Sequence, residues 1–327
     1  MNDDLVGTPS PGATGRSSDV GWERATLEKL AFAALAEQRA ARRWTVFWRL
    51  MWLLLAGAVA WMVFRSDAGV ASVSTPHTAL IEIRGEIAAG AEASADNVVT
   101  SLNAAFEDAG AQAVVLLIDS PGGSPVQAGI INDEITRLKA LHNKKVYAVV
   151  EETCASAAYY IAAAADNIYV DKASLVGSIG VLMDGFGFTG LMDKLGVERR
   201  LMTAGANKAM LDPFSPQDAE QTAYIQSMLG EIHSQFITVV RAGRGDRLKE
   251  TPDTFSGLVW SGQKAIALGL VDGLGSLDYV AREVVKAEEV VDYTQRENLG
   301  MRLARQLGAS VGEGMYLAAS SSGLQFK

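Results

Sequence analysis

The sequence predicts an α/β protein with a mostly parallel sheet, preceded by one membrane-spanning helix. Three observations lead to this prediction: a long apolar run near the N-terminus, strand-length apolar runs that alternate with helical patterns, and a composition that permits a large core. Apolar residues make up 49% and charged residues 20% of the 327 residues, as in globular chains. Strands that alternate with helices are typical of βαβ units and hence of parallel strands.

The first element is an apolar run over residues 44–64, WTVFWRLMWLLLAGAVAWMVF. As a helix it would span roughly 31 Å, about the thickness of the hydrocarbon core of a bilayer. Its four tryptophans suit the two membrane interfaces. Three arginines lie within the five residues before the run and only Arg65 follows it closely, so the N-terminus is expected in the cytoplasm. A signal peptide and a buried helix of a soluble protein are the alternatives.

The chain therefore divides into five predicted regions. The first is a cytoplasmic segment that is partly disordered, because residues 1–22 are rich in Gly, Ser, Pro, Asp and Thr. In order, the regions are the cytoplasmic segment 1–43, the membrane helix 44–64, a linker 65–77, the α/β domain 78–295 and a tail 296–327.

Within the α/β domain each element follows from its pattern. Four short apolar runs are predicted as strands: 78–87, 113–119, 145–150 and 167–170. The second of these is a continuous apolar run, typical of a strand buried on both faces. Helical spacing predicts helices over 96–109, 125–143, 157–165 and 215–243, with two short helices in 261–286. A further strand is expected at 198–203.

Composition excludes several classes of function. The net charge of -9 gives no reason to expect nucleic-acid binding. The single cysteine, Cys154, permits no intramolecular disulfide. Without a nearby histidine or cation, it is predicted to be a small buried residue and not a nucleophile. The three histidines are far apart in the sequence, so no metal site is expected.

The stretch DSPGGSP, residues 119–125, follows a predicted buried strand and precedes a helix. Ser124 is expected as the helix N-cap and Pro125 as its first residue. Gly122 and Gly123 permit positive φ and close approach of the backbone. Amides at such a helix N-terminus could bind a phosphate or the oxyanion of a tetrahedral intermediate. A plain strand-to-helix turn is the alternative.

Ser156 follows the strand at 145–150 and opens an alanine-rich helix. Its hydroxyl is therefore expected at the carboxyl edge of the sheet, where α/β proteins bind ligands. It is either a nucleophile or a helix N-cap, and its surroundings do not spell G-x-S-x-G. A nucleophilic serine needs a base, and a buried lysine can serve. Lys208, in TAGANKAMLDPF, is the candidate, with a solvated surface charge as the alternative.

Other motifs carry little weight alone. Residues 185–190 spell G-x-G-x-x-G without the acidic residue that dinucleotide sites need. Ser261 opens an S-x-x-K pattern but is more simply an N-cap. Arg244 begins an Arg-Gly-Asp tripeptide that occurs by chance. Tyr159 and Tyr160 are interpreted as packing or as the wall of a pocket.

Five stretches, in order, resemble the signal peptide peptidase A family of S49 serine peptidases. They are DSPGGS, ETCASAAYYIAAAADNIYVDKASLVGSIGV, FTGLMDKLGV, GANKAMLDPF and GLVWSGQKAIALGLVDGLG. The resemblance covers roughly residues 78–290 and makes 78–295 the peptidase domain. It implies a crotonase-like or Clp-protease-like fold of repeated ββα units. This sequence has Ala157 and Ala158 where many relatives have glycines. The added Cβ atoms narrow the site slightly but leave the backbone amide available as a donor.

The resemblance also implies roles for individual residues in a Ser–Lys dyad that needs no metal or cofactor. Ser156 would be the nucleophile, Lys208 the general base and Ser178 a residue that orients the lysine. The oxyanion hole would come from the N–H groups of Gly122 or Gly123 and of Ala157. Substrates would be remnant signal peptides or other hydrophobic peptides, cleaved at or in the membrane. Together with the arginines before the predicted span, this places the peptidase domain on the periplasmic or outer side of a bacterial cytoplasmic (inner) membrane. The resemblance to short family members also implies an assembly of several subunits in a ring or dome. The serine and the lysine of the dyad would then meet across a subunit interface.

Two other functions remain open. The same fold supports acyl-CoA chemistry in crotonases, which also use paired backbone amides as an oxyanion hole. A non-enzymatic membrane scaffold could oligomerise through the same fold. The membrane span argues against the first, and the presence of both serine and lysine argues against the second.

Overall fold

The computed structural model describes residues 75–296 and, before them, residues 28, 29, 32, 42–58 and 61. Residues 42–58 are helical and form α1. Among the described residues, no helix combines the length and apolarity needed to cross a bilayer. The predicted span 44–64 extends past them, since residues 59, 60 and 62–64 lie outside the described part. Most of the predicted N-terminal segment, linker and tail also lies outside it.

Residues 75–296 belong to one compact unit, which is built around a single sheet. Within residues 75–296 the sheet has eight strands in the order β6-β5-β3-β2-β1-β8, and β4 and β7 branch from β3. The strands are β1 His77–Arg84, β2 Ala111–Ser120, β3 Lys145–Ala155, β4 Asn167–Val170, β5 Leu175–Gly177, β6 Val259–Ser261, β7 Gly273–Leu274 and β8 Val290–Asp292. All pairs are parallel except β5 with β6. The prediction of a mostly parallel α/β sheet is confirmed.

Helices connect the strands. They are α2 Ala95–Glu107, α3 Pro125–His142, α4 Ala157–Ala162, α5 Thr189–Leu195, α6 Ala219–Arg244, α7 Gly262–Ala267 and α8 Leu277–Tyr279, which continues as a π-helical turn, Val280–Val285. Ser124 accepts from the Gln127 N–H and Pro125 is the first residue of α3, as predicted. Ser261 likewise caps α7 by accepting from the Lys264 N–H.

The core lies mainly on one face of the sheet. Because side chains alternate along a strand, Leu116 and Ile118 of β2 point to one face and join the large cluster that includes buried residues of α2, α3 and α4. Val115 and Leu117 point to the other face and belong to a smaller cluster with Val280. The fully apolar run of β2 is therefore explained by burial on both faces.

Strand β3 differs from its prediction by continuing to Ala155. Its residues 147–150 pair with β4, whereas residues 153–155 pair with β5. The two charged residues Glu151 and Glu152 suggested that the strand ends before them. They are exposed, but the backbone hydrogen bonding of the strand continues past them. The strand predicted at 198–203 is wrong, because these residues form no sheet pairing.

Candidate active site

Ser156 occupies the turn between β3 and α4 in an unusual backbone conformation. Its φ is 54° and its ψ is -124°, a region that costs an L-residue about 1–3 kcal/mol. Its N–H donates to the Gly177 carbonyl at 2.8 Å, and its carbonyl accepts from the Tyr160 N–H at 3.0 Å. Although Ser156 stands at the N-cap position, its side chain makes no capping hydrogen bond. Ser156 therefore occupies the N-cap position without acting as a side-chain cap, in a strained turn between a strand and a helix.

The glycine turn at 122–123 lies directly against Ser156. A Cβ on Gly122, which has a φ of 107°, would lie 2.7 Å from the Cβ of Ser156 and 3.0 Å from the amide nitrogen of Ala157. A Cβ on Gly123 would lie 2.2 Å from the Ile87 carbonyl oxygen. Both positions therefore require glycine. The expected neighbourhood of the turn and the serine is confirmed, because β2 and β3 are adjacent parallel strands.

The amides of this turn are not equivalent. The Gly122 N–H donates to Ser120 Oγ at 3.1 Å, so it is already engaged. Within residues 75–296, the N–H groups of Gly123 and Ala157 have no hydrogen-bond partner. Two unengaged amides beside a serine hydroxyl are the kind of donor pair that can stabilise an oxyanion. The sequence did not predict that Ile87 would lie beside the glycine turn. Its carbonyl accepts from the Ser124 N–H at 2.7 Å and fixes the turn.

Ser178 is brought to the same edge of the sheet. Ala155 pairs with Gly177, and the Gly177 carbonyl accepts the Ser156 N–H. Ser178 is the next residue after Gly177. Ser178 also has a positive φ, 50°, and its N–H donates to the Leu258 carbonyl at 2.8 Å. Ser156, the glycine turn, Ala157 and Ser178 thus converge at the carboxyl ends of neighbouring strands.

Lys208 is not joined to Ser156 within the chain. It is exposed, and no hydrogen bond within residues 75–296 links its Nζ to the hydroxyl of Ser156 or Ser178. Its loop is nevertheless ordered by contacts around Asp212, which pairs with Arg199 and accepts from Ser215 Oγ at 2.5 Å. The lysine therefore sits on a defined loop, open to solvent and free to meet another surface.

That loop belongs to a segment, residues 181–218, that we call the arm. None of its residues is buried, and several large apolar side chains are open to solvent. Met202 is 94% exposed, Leu182 82% and Phe186 78%. Phe188 and Phe214 stack on each other at 5.4 Å between ring centroids, so the arm has its own internal packing.

Other groups that could act on a substrate are accounted for. Cys154 is fully buried, and burial raises the pKa of its thiol, so the thiolate is disfavoured. The His233 ring contacts the Ile179 carbonyl through Nε2 at 3.1 Å and makes no bond to Ser156. No group of three His, Cys, Asp or Glu side chains suited to a metal ion occurs among the residues that the structure describes.

Comparison with known proteins identifies the family. The family model for peptidase family S49 matches residues 139–291. A candidate protease of Methanocaldococcus jannaschii is 34% identical over 215 residues, which cover 64% of this chain and 68% of that protein. The chain belongs to peptidase family S49. A candidate signal peptide peptidase A of Enterococcus faecium is 30% identical over 230 residues, covering 69% of this chain and 66% of that protein.

Other similar proteins differ from this S49 chain in length. A protein of Brucella melitensis biotype 1 named as the Na⁺/H⁺ antiporter NhaA is 42% identical over 236 residues, covering 68% of this chain. The S49 chain spans 32% of that protein's length. A solved structure of a membrane-bound stomatin-specific protease matches with a TM-score of 0.40 at 14% identity, covering 68% of this chain and 100% of that one.

Proposed function

We propose that this S49 chain is a serine endopeptidase that hydrolyses remnant signal peptides or other hydrophobic peptides with a Ser156–Lys208 dyad. One observation carries the proposal. Ser156 keeps a strained backbone conformation with a hydroxyl that caps nothing, beside two amides without partners. Strain of this kind persists where function requires it. Family membership supports the peptidase chemistry.

In the proposed reaction the neutral amine of Lys208 accepts the proton of Ser156 Oγ as the oxygen attacks the peptide carbonyl. The resulting oxyanion accepts hydrogen bonds from the N–H groups of Gly123 and Ala157. We do not give this role to Gly122, because its N–H already donates to Ser120. The lysine then protonates the leaving amine, and water attacks the acyl-enzyme with the lysine again as base. Ser178 would orient the amine.

The lysine would come from a neighbouring subunit. Lys208 is exposed on the arm, and the arm presents apolar side chains that a partner could cover. We propose a homo-oligomer in which the arm of one subunit completes the site of the next. The finer form of the fold, with repeated ββα units as in crotonases and Clp proteases, belongs to the same proposal.

We further propose that residues 44–64 anchor the protein in the bacterial cytoplasmic membrane. The tryptophans and the arginines before the run support this topology. The N-terminus would then be cytoplasmic and the peptidase domain periplasmic or extracellular. Membrane attachment would hold the site near apolar peptides released in the bilayer.

The proposal is tested with the full chain in detergent and a fluorophosphonate probe. Wild type, Ser156→Ala and Lys208→Ala are compared, and each is sized by light scattering. Wild type should label as an oligomer, while Ser156→Ala should not label and Lys208→Ala should label at least about 100-fold more slowly. Equal labelling of Ser156→Ala, or an assembled wild type that neither labels nor cleaves peptides, would contradict the proposal and favour a scaffold.

A further inference from the structure

The helix that carries Ser156 is held by a buried hydroxyl. Tyr159 lies three residues after Ser156 in α4 and is 0% exposed. Its hydroxyl donates to the Leu270 carbonyl at 2.6 Å. Burial raises the pKa of Tyr159, so the hydroxyl keeps its proton and remains a donor. This bond joins the nucleophile's helix to a segment more than a hundred residues away in sequence.

That segment is itself fixed on both sides of Leu270 by Arg244. The Arg244 Nε donates to the Gly269 carbonyl at 2.9 Å, and the guanidinium pairs with both oxygens of Asp272 at 2.8 Å. The Arg244 side chain is 0% exposed. Burial alone would raise the pKa of Asp272, but Arg244 and the Ile168 N–H outweigh it and lower the pKa. The carboxylate therefore stays charged and holds the arginine.

Ser156 needs such support, because its φ of 54° is unfavourable and persists only if the surroundings over-determine it. The hydrogen bonds of its own backbone fix one side of the turn. Ser156 directly precedes the short helix α4, so a rotation of that helix would displace the hydroxyl. The Tyr159 bond opposes that rotation, since residues three apart lie on neighbouring positions of one helix face.

We propose that Tyr159 and Arg244 are positioning residues for Ser156: Arg244 fixes the segment 269–272, and Tyr159 ties the nucleophile's helix to it. The proposal rests on the proposed peptidase function. It gives a role to Tyr159, which the sequence analysis interpreted as a packing residue or pocket wall. It also gives a role to Arg244, which was noted only as the start of a chance tripeptide. Neither residue touches the reacting atoms.

The test is Tyr159→Phe in the full chain, which removes only the hydroxyl. We expect kcat for a fluorogenic apolar peptide and the rate of fluorophosphonate labelling to fall about 10- to 100-fold, as for a displaced reacting group. KM should change by less than about twofold, since uniform binding is untouched. Arg244→Lys, which keeps the charge but loses the planar fork, should lower kcat in the same way.

Tyr293→Phe is the matched control. Tyr293 is also buried and its hydroxyl donates to Asp108 at 2.7 Å, but it lies beside His77 at the amino end of the sheet. It should lower the melting temperature as Tyr159→Phe does and leave kcat unchanged.

The outcomes separate the two proposals. Suppose that the wild type labels but Tyr159→Phe reacts at the wild-type rate, or no more slowly than Tyr293→Phe. This result would overturn the positioning role alone. A wild type that does not label overturns the peptidase function. If Tyr159→Phe does not fold, Arg244→Lys decides: reduced kcat at constant KM supports the role, and unchanged kcat contradicts it.

Discussion

At the scale of single residues, Ser156 is where local preference and observed conformation disagree most. Serine has no preference for a φ of 54° with a ψ of -124°, and its neighbours in sequence are alanines that favour a helix. Such conflicts are expected at functional sites, where strain is kept for geometry and offset elsewhere. In this conformation the hydroxyl makes no capping hydrogen bond to the helix.

Replacing Ser156 with Ala and with Gly separates strain from chemistry. Both variants should be inactive, because both lack the hydroxyl. Glycine tolerates positive φ without a Cβ clash, so Ser156→Gly should be more stable than Ser156→Ala by about 1 kcal/mol. Urea unfolding followed by circular dichroism measures the difference. An alanine variant as stable as the glycine variant would show that the turn is not strained in solution.

At the scale of elements, helices α4 and α6 approach each other closely at one glycine. A Cβ on Gly243 would lie 2.0 Å from the Ala163 carbonyl oxygen, whereas a Cβ on Gly230 of the same helix would meet nothing within 4 Å. Gly243 therefore lets α6 pack directly against the end of α4, the helix that follows Ser156. Arg247 joins the two sides of this approach, because it donates to the Gly243 carbonyl at 2.6 Å and to the Asp166 carbonyl, just after α4, at 2.7 Å.

Alanine at the two glycines should have opposite effects. Gly243→Ala should lower the free energy of unfolding by about 1–3 kcal/mol, because backbone must move to admit the methyl group. Gly230→Ala should raise it by up to about 1 kcal/mol, since alanine favours an open helix position. Thermal or urea unfolding of both variants checks this. Similar effects of the two substitutions would contradict the close approach of α4 and α6.

The sheet could be predicted from sequence where side chains report burial. The run at 113–119 is apolar almost throughout, and burial on both faces explains it. The last residues of β3 could not be predicted, because Glu151 and Glu152 are exposed while the strand's backbone stays in the ladder. The side-chain pattern does not indicate backbone pairing of this kind between strands.

The site could be predicted in part for a similar reason. Parallel strand order places the ends of β2 and β3 together, so the meeting of Gly122 with Ser156 followed from the element assignments. The conformation of Ser156 and the choice between the two glycine amides depend on tertiary contacts with Gly177 and Ser120. No local pattern encodes contacts of that range.

At the scale of the whole molecule, the proposed dyad is not joined by any hydrogen bond within residues 75–296 of one subunit. The serine side of the site is assembled from β2, β3 and β5, whereas Lys208 stands exposed on the arm. Large apolar side chains on the arm, such as Met202 and Leu182, are the surface that assembly would cover. Activity should therefore depend on subunit contact.

Co-expression of Ser156→Ala with Lys208→Ala tests this dependence. Each variant alone should be inactive, but in mixed oligomers of the proposed kind an intact serine would meet an intact lysine of its neighbour at about a quarter of the sites. Peptidase activity should therefore return to about a quarter of the wild-type value. A mixture of Ser156→Ala with the double variant is the control and should stay inactive. No recovery in the first mixture would mean that the dyad forms within one chain.

The absence of buried side chains from the arm, residues 181–218, frees its sequence from the demands of the subunit's own core. Substitutions there should leave the sheet and the serine turn intact, so in the proposed oligomer the arm could diverge together with the surface that it would meet. Two related chains in one cell could avoid mixed assembly by differences in this segment alone, because discrimination needs only a mismatch at the contact. The residues that specify assembly would then be arm residues other than Lys208, which the proposed reaction needs.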